Sequence, residues 1–206
     1  MKRRRLVFAT NNQHKLKELR EIVGESMEIL SLSDIGCEEE LPETAPTIAG
    51  NAEMKARYVA ERYLTDCFAD DTGLEVEALG GAPGVHTARY ATACGHDTLK
   101  NMELLLRNLK GKENRKAAFR TVIALAEHTA DGKTKVKLFE GVCSGEITEA
   151  PQGEHGFGYD PVFCPEGCCD TFAMMEAEKK NELSHRGRAT KALLEYLQQE
   201  QTPVED

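Results

Sequence analysis

The sequence predicts a mixed α/β domain, one sheet of parallel and antiparallel strands with helices grouped by lobe. Three observations predict it. Leu6-Val7-Phe8-Ala9 is short and wholly apolar, as suits an interior strand of a parallel or mixed sheet. Ala117 to Ala126 and Lys135 to Cys143 alternate at period two on either side of a turn near Ala130-Asp131-Gly132, which reads as a hairpin of long antiparallel strands. Amphipathic stretches at helical spacing fill most of the remaining chain. A purely doubly wound sheet would lack the long hairpin. At 206 residues the chain suits one domain, with room for two lobes on a shared sheet, and buries roughly 70% of its unfolded surface without disulfides or a structural metal.

After the first strand, Thr10-Asn11-Asn12-Gln13-His14-Lys15 is a polar turn entering a helix that runs to about Val23, with Leu16, Leu19, Ile22 and Val23 on one face. The backbone N–H groups of such a helix start, its dipole and Lys15 together make a candidate anion site; an ordinary capped turn has the same composition. It is not a P-loop, because the glycines and the Gly-Lys-Ser/Thr ending are missing. Glu28 to Leu32 reads as a second short strand. Asp34 to Pro46 is an acidic loop, with Glu38-Glu39-Glu40 and then Glu43 between Pro42 and Thr44. Thr47 to Leu64 is helical, with Ile48, Ala52, Ala56, Val59 and Tyr63 on one stripe and Asn51 and Lys55 on an adjacent face.

Phe68 to Tyr90 organises the chain. A short apolar strand ends in two adjacent carboxylates, Asp70 and Asp71; Thr72 and Gly73 turn, and Leu74 to Leu79 resumes the alternation of a half-buried strand. Gly80, Gly81, Pro83 and Gly84 make a tight loop, with Arg89 just beyond. Carboxylates at the end of a buried strand beside a glycine-rich turn suit metal-assisted phosphate chemistry, and an acidic turn between two strands uses the same residues. In an extended strand, neighbouring side chains point to opposite faces, so one aspartate of the pair meets a given ligand directly.

Asp97 caps a helix that runs to Leu109 and stops at Lys110-Gly111. In Pro151 to Pro161, Gly153, Gly156 and Gly158 let backbone approach a ligand, and Phe157 or Tyr159 either stacks on a planar ring or anchors the loop to the core. Thr171 to Asn181 reads as a helix carrying Lys179 and Lys180. Ser184 caps the last helix, from about His185 to Gln199. A cation in its first turn opposes the dipole, so Arg186 breaks a local rule and becomes a candidate for function.

A net charge of −9 argues against a nucleic-acid polymer as partner but not against a nucleotide. No run is apolar enough for a membrane span, and Lys2-Arg3-Arg4-Arg5 is followed by too short an apolar run for a signal peptide. Seven cysteines without framework spacing suit reduced thiols in a cytoplasm. Cys164 with Cys168 and Cys169 is poor evidence for zinc, lacking a second pair or a nearby histidine.

Together, ATNNQHK (Ala9 to Lys15), LPET (Leu41 to Thr44), NAEMKA (Asn51 to Ala56), ADDTGLEVEALGGAPGVHTARY (Ala69 to Tyr90), FGYDPVF (Phe157 to Phe163) and SHRGRA (Ser184 to Ala189) resemble the inosine triphosphate pyrophosphatase, or Ham1, family. Six motifs in the family's order across nearly the whole chain make the resemblance specific. It implies hydrolysis of ITP, dITP and XTP to the monophosphate and pyrophosphate with Mg²⁺, a long central sheet, two lobes around a substrate cleft, and a homodimer. It further implies that Thr10, Asn11, Asn12, Gln13, His14 and Lys15 hold the triphosphate, with Lys55 and Thr72 near the same phosphates. Glu43 and Asp71 would bind the metal, and Asp71 would also be the general base. Phe157, Gly158, Tyr159, Asp160, Lys180, His185 and Arg186 would form the base pocket, and Asp70 would support the metal's surroundings or the turn. Two positions depart from the family pattern: Gly50 stands where many members have glutamate, leaving any role of that glutamate unfilled, and Thr72 replaces a commoner serine while keeping the hydroxyl.

The chemistry fits these parts. Oxygen-only ligands suit Mg²⁺, or Mn²⁺, rather than zinc. Attack of water at the α-phosphorus needs negative charge neutralised, which a carboxylate-held metal with Lys15 and Lys55 does. A 6-oxo purine accepts a hydrogen bond where a 6-amino purine donates one, so a donor aimed there, from Arg186 or backbone, discriminates by roughly 10⁴. The competing readings are a pyrophosphatase for modified pyrimidine nucleotides and a nucleotide-binding regulator without catalysis; the presence of Glu43, Asp70, Asp71 and Lys15 speaks against the latter.

Overall fold

In chain order the elements are β1 Arg4–Phe8, α1 Gln13–Val23, β2 Met27–Leu30, α2 Ile48–Tyr63, β3 Cys67–Val76, β4 Pro83–Gly84, α3 Thr98–Leu109, β5 Lys116–His128, β6 Thr134–Ile147, β7 Phe163–Pro165, α4 Ala177–Leu183 and α5 His185–Gln201. This computed structural model describes residues 4–92, 97–129 and 131–201; Cys94 and Ala130 fall outside them. The sheet order is β2-β1-β3-β5-β6-β7, with β4 also beside β3. β1 pairs parallel with β2 and β3, whereas β3–β4 and β6–β7 are antiparallel, so the sheet is mixed as the sequence predicts. Thr129, which accepts from Gly132 N and donates its own N–H to Lys133 O, closes the turn between β5 and β6.

The chain divides into two compact units: Met1–Asp71 with Thr121–Gly141 and Arg186–Asp206, and Thr72–Arg120 with Val142–His185. Period-two alternation builds the first. Leu6 and Phe8 of β1, Phe68 of β3, and Ile123 and Leu125 of β5 pack with Leu16, Leu19 and Val23 of α1 and Leu193 and Leu197 of α5. Val7, Ala9, Cys67, Ala69, Val122 and Ala124 point the other way, onto Ala52, Ala56, Val59 and Ala60 of α2. The three alanines on α2 let that helix lie close to the sheet. Its start is capped by Thr47, whose hydroxyl accepts from Gly50 N at 3.0 Å.

In the second unit, Leu74 and Val76, Phe119, Ile147 and Phe163 form a core with Met102, Leu105 and Leu109 of α3. Gly145 is a steric requirement here. A Cβ at this position would lie 2.3 Å from the Cys164 carbonyl oxygen and 2.8 Å from the Phe163 ring. Gly145→Ala is therefore expected to lower stability by about 1–3 kcal/mol, seen as a lower Tm in a thermal melt.

Two expectations need correction. β3 does not turn at Thr72-Gly73 but runs unbroken to Val76, and Glu77–Leu79 is a 3₁₀ turn rather than strand. The reason lies downstream: the glycine-rich loop, with Gly80 and Gly81 at φ 63° and 88°, folds Pro83 and Gly84 back against Glu75 and Leu74 as β4. The Thr87 hydroxyl also accepts from Leu74 N at 2.7 Å, so the strand has partners beyond the aspartates. Thr171 to Asn181 is likewise not one helix. Thr171 donates to the Gln152 carbonyl oxygen and Phe172 is buried among Phe119 and Phe163, so a 3₁₀ turn at Phe172–Met174 precedes α4.

Candidate functional site

The alternation of β3 separates the two aspartates. Asp70 shares the parity of Phe68 and points to the layer of α1 and α5; Asp71 shares that of Ala69 and points to α2. Asp70 is 1% exposed. Its Oδ1 accepts from Lys15 Nζ at 3.0 Å and its Oδ2 from Arg186 Nε at 3.3 Å. Burial alone would raise its pKa, but Lys15, Arg186 and Lys55 outweigh burial and hold it well below the usual carboxylate range. Arg186 also donates to Glu18 on α1. Burial opposes its charge, yet Glu18 and Asp70 hold its pKa above the ordinary value. The cation at the start of α5 is thus placed for two carboxylates, which outweigh the small dipole penalty.

Asp71 has different company. Lys55 Nζ is 3.8 Å from its Oδ1, and Asn51 Nδ2 donates to its Oδ2 at 3.2 Å. Burial raises its pKa, only partly opposed by Lys55 and Lys15. Lys55, itself buried, also donates to Glu43 Oε1 at 2.6 Å and to the Asp70 carbonyl oxygen at 2.7 Å. Glu43, brought in by the loop before α2, and Asp71 therefore lie within reach of one ammonium group. Asp71 is the less buried member of the pair, with a side chain 13% accessible, and its raised pKa suits a proton acceptor.

Thr10 to Lys15 does form a helix start, but part of its donor capacity is used internally. The Asn12 side chain caps α1, accepting from His14 N at 3.0 Å and Lys15 N at 3.2 Å, and the Thr10 hydroxyl accepts from Asn12 N. Asn11, Asn12, Gln13 and His14 are exposed. The Lys15 ammonium turns inward to Asp70, and burial lowers its pKa. Lys15 therefore belongs to the Asp70 cluster as well as to the turn that opens α1.

In the second unit the loop 151–161 is built around Asp160. Its Oδ2 accepts from Phe157 N and from Lys180 Nζ, both at 2.8 Å. Gly156, at φ 78°, is required, since a Cβ there would lie 2.2 Å from that same oxygen. Lys180 Nζ stands 5.3 Å from the Phe157 ring centroid, a cation–π distance. Of the two aromatics, Tyr159 is the anchor: it is buried and donates to the Thr87 carbonyl oxygen at 2.9 Å, while Phe157 remains partly accessible. Gly158, at φ 68°, lies beside Phe157 with open space around it. His185 is buried, its ring stacked on Phe119 at 4.5 Å. Thr72 is half-buried at the first position of this unit.

Sequence reasoning missed Glu18, Phe119 and the full role of Asn51. Glu18 carried no signal beyond its i+3 position from Lys15. Asn51 was visible as a polar residue on α2, and its burial is what distinguishes it. Among the described residues no group of three His, Cys, Asp or Glu side chains is placed to hold a metal. The pair of Glu43 and Asp71 suits Mg²⁺ instead, which keeps several waters and takes one or two carboxylates besides substrate phosphates. Glu43 raises the pKa of Asp71 and the Lys55 ammonium lowers it, so Lys55 already offsets part of the repulsion between these carboxylates. No helix among the described residues is long and apolar enough to cross a membrane.

Residues 6–196 match the model of the Ham1 family. The chain is 52% identical to a dITP/XTP pyrophosphatase of Flavobacterium psychrophilum, covering 93% of this chain and 98% of that protein. It is 52% identical to the dITP/XTP pyrophosphatase of Porphyromonas gingivalis, with coverage of 94% and 97%. Its structure is similar to that of the Staphylococcus aureus Ham1 protein, with a TM-score of 0.83 at 36% identity and coverage of 96% and 100%.

Proposed function

The chain belongs to the Ham1 family, and from that membership and the unequal surroundings of Asp70 and Asp71 we propose that it hydrolyses dITP, ITP and XTP to the monophosphate and pyrophosphate, clearing non-standard purine nucleotides from the pool. The observation that carries the reading is the carboxylate of Asp71. It is the aspartate with a raised pKa, and it stands beside Lys55 and within the same ammonium's reach as Glu43.

In this reading Asp71 takes a proton from the attacking water as oxygen bonds to the α-phosphorus. The bond from that phosphorus to the bridging oxygen breaks, and pyrophosphate leaves with the electron pair. Lys15 and Lys55 supply positive charge beside the phosphates, and the turn from Thr10 to His14 takes the outer oxygens. Thr72 offers a hydroxyl to the same groups. Glu43 and Asp71 would hold Mg²⁺, with Mn²⁺ as a substitute. The ion supplies further positive charge beside the phosphate oxygens when bound. Phe157, stiffened by Asp160 and Lys180, offers a face to a purine, with Gly158 giving access. Tyr159 and His185 are buried supports of that loop's unit, while Arg186 is engaged by Asp70 and Glu18. The protein would act in the cytoplasm as a homodimer.

The test is a panel of nucleoside triphosphates with Mg²⁺ and identification of the product. Pyrophosphate from dITP, ITP and XTP is expected, with roughly 10⁴-fold less turnover of ATP if a hydrogen-bond donor reads the 6-position. Orthophosphate as product would refute attack at the α-phosphorus. A preference for pyrimidine triphosphates would refute the purine assignment, and tight binding of dITP without product would make the protein a regulator.

A further inference from the structure

Asn51 is 3% exposed on the first turn of α2, a buried polar side chain beside the apolar layer of Ile48, Ala52, Ala56 and Val59. Both ends of its carboxamide are used. Oδ1 accepts from Ala45 N at 2.9 Å, and Nδ2 donates to Asp71 Oδ2 at 3.2 Å. The chemistry fixes this orientation: a backbone N–H can only donate, so the oxygen must face Ala45 and the amide nitrogen must face the carboxylate. Ala45 lies two residues from Glu43, in the loop that carries it. One side chain therefore ties the loop bearing Glu43 to the carboxylate of Asp71.

Gly50 makes this tie possible. A Cβ at Gly50 would lie 2.8 Å from Ala45 Cβ and 2.9 Å from Thr47 Oγ1. With no Cβ, the 45–47 segment packs directly on the start of α2, where Thr47 accepts from Gly50 N and Ala45 N reaches Asn51. A side chain at this position would push the segment away. Because Asn51 occupies Oδ2 of Asp71, Oδ1 is the oxygen turned toward Lys55.

We propose that Asn51 is a positioning residue, which fixes the rotamer of Asp71 and the distance of Glu43 from it, and that Gly50 is the steric condition for this arrangement. The proposal rests on the assignment of Asp71 and Glu43 to the reaction. A partner that orients a ligand or base in this way is worth roughly 10–100-fold in metal affinity or activity.

The experiment compares Asn51→Asp and Asn51→Ala with the parent protein. Asn51→Asp keeps an acceptor for Ala45 N–H, so it still anchors the loop, but replaces the donor to Asp71 with a like charge. Three readouts are taken: kcat and KM for dITP, Mn²⁺ binding to the nucleotide-free protein followed by electron paramagnetic resonance of the free ion, and the thermal midpoint. Both variants are expected to lose roughly 10–100-fold in kcat with KM for dITP little changed, and Asn51→Ala to bind Mn²⁺ about tenfold more weakly. A merely structural role would move the thermal midpoint and leave kcat of Asn51→Asp near the parent value; that result overturns the proposal. If one variant does not fold, the kcat and Mn²⁺ affinity of the other decide alone. Parent protein that releases no pyrophosphate from dITP would instead refute the function itself, and Mn²⁺ affinity unchanged in Asn51→Ala would then overturn the positioning role separately.

Discussion

Asp71→Asn is expected to reduce kcat by roughly 10²–10⁴-fold, the range for loss of a positioned general base, while the protein stays folded. Asparagine keeps the shape of the side chain and can still accept from Asn51, but it cannot take a proton. Stability should move in the opposite direction from activity. Burial raises the pKa of Asp71 in the folded protein, so ionising it costs more there than in the unfolded chain. A group of this kind contributes fully below its unfolded pKa of about 3.9, and the contribution is lost as pH rises through the folded value. The variant, which does not titrate, should gain in thermal midpoint relative to the parent as pH rises from about 4 to neutral. Paired melts across that range and steady-state kinetics on dITP check both halves. Near-normal turnover would remove Asp71 as base, and a difference in midpoint that shrinks with rising pH would contradict its raised pKa.

Much of this was legible in the sequence because it depends on local periodicity. The wholly apolar run of Leu6 to Ala9 marked an interior strand, and the opposite facing of neighbours in an extended strand divided Asp70 from Asp71. The start of α3 followed from a cap whose side chain does bond the expected N–H group, Asp97 accepting from Lys100 N. What escaped was tertiary. Asp70 meets Lys15 across 55 residues and Arg186 across 116, and no local rule encodes those meetings. Thr72-Gly73 looked like a turn because turn residues are weak evidence when a later segment, here Pro83-Gly84, supplies the strand's partner. Phe157 and Tyr159 have similar rings and equal claims by sequence. Only the bond from Tyr159 to Thr87 tells the anchor from the accessible face.

Asp70→Asn should be the stability counterpart of Asp71→Asn, with the opposite sign. Asp70 is 1% exposed and lies between the Lys15 ammonium and the Arg186 guanidinium. Neutralising it leaves the buried Arg186 guanidinium and the partly buried Lys15 ammonium with one carboxylate fewer. Removing one partner from a buried ion pair costs about 3–5 kcal/mol, although Arg186 keeps Glu18. For a chain of this length each kcal/mol corresponds to roughly 2–4 °C, so the thermal midpoint should fall by about 6–20 °C. The pH dependence follows from a pKa held well below the usual range by Lys15, Arg186 and Lys55 against burial. Such a group contributes fully above its unfolded pKa, and the contribution is lost as pH falls toward the folded value. The gap between parent and variant should thus be constant from neutral pH to about 4 and narrow only in stronger acid. A midpoint within 2 °C of the parent, by the same roughly 2–4 °C per kcal/mol conversion, would mean that Lys15 and Arg186 find other partners at little cost. Two neighbouring aspartates, changed in the same way, should therefore shift the thermal midpoint in opposite directions, because β3 turns one toward the Lys15 and Arg186 cations and the other toward Asn51 and Lys55, where burial outweighs the single nearby ammonium.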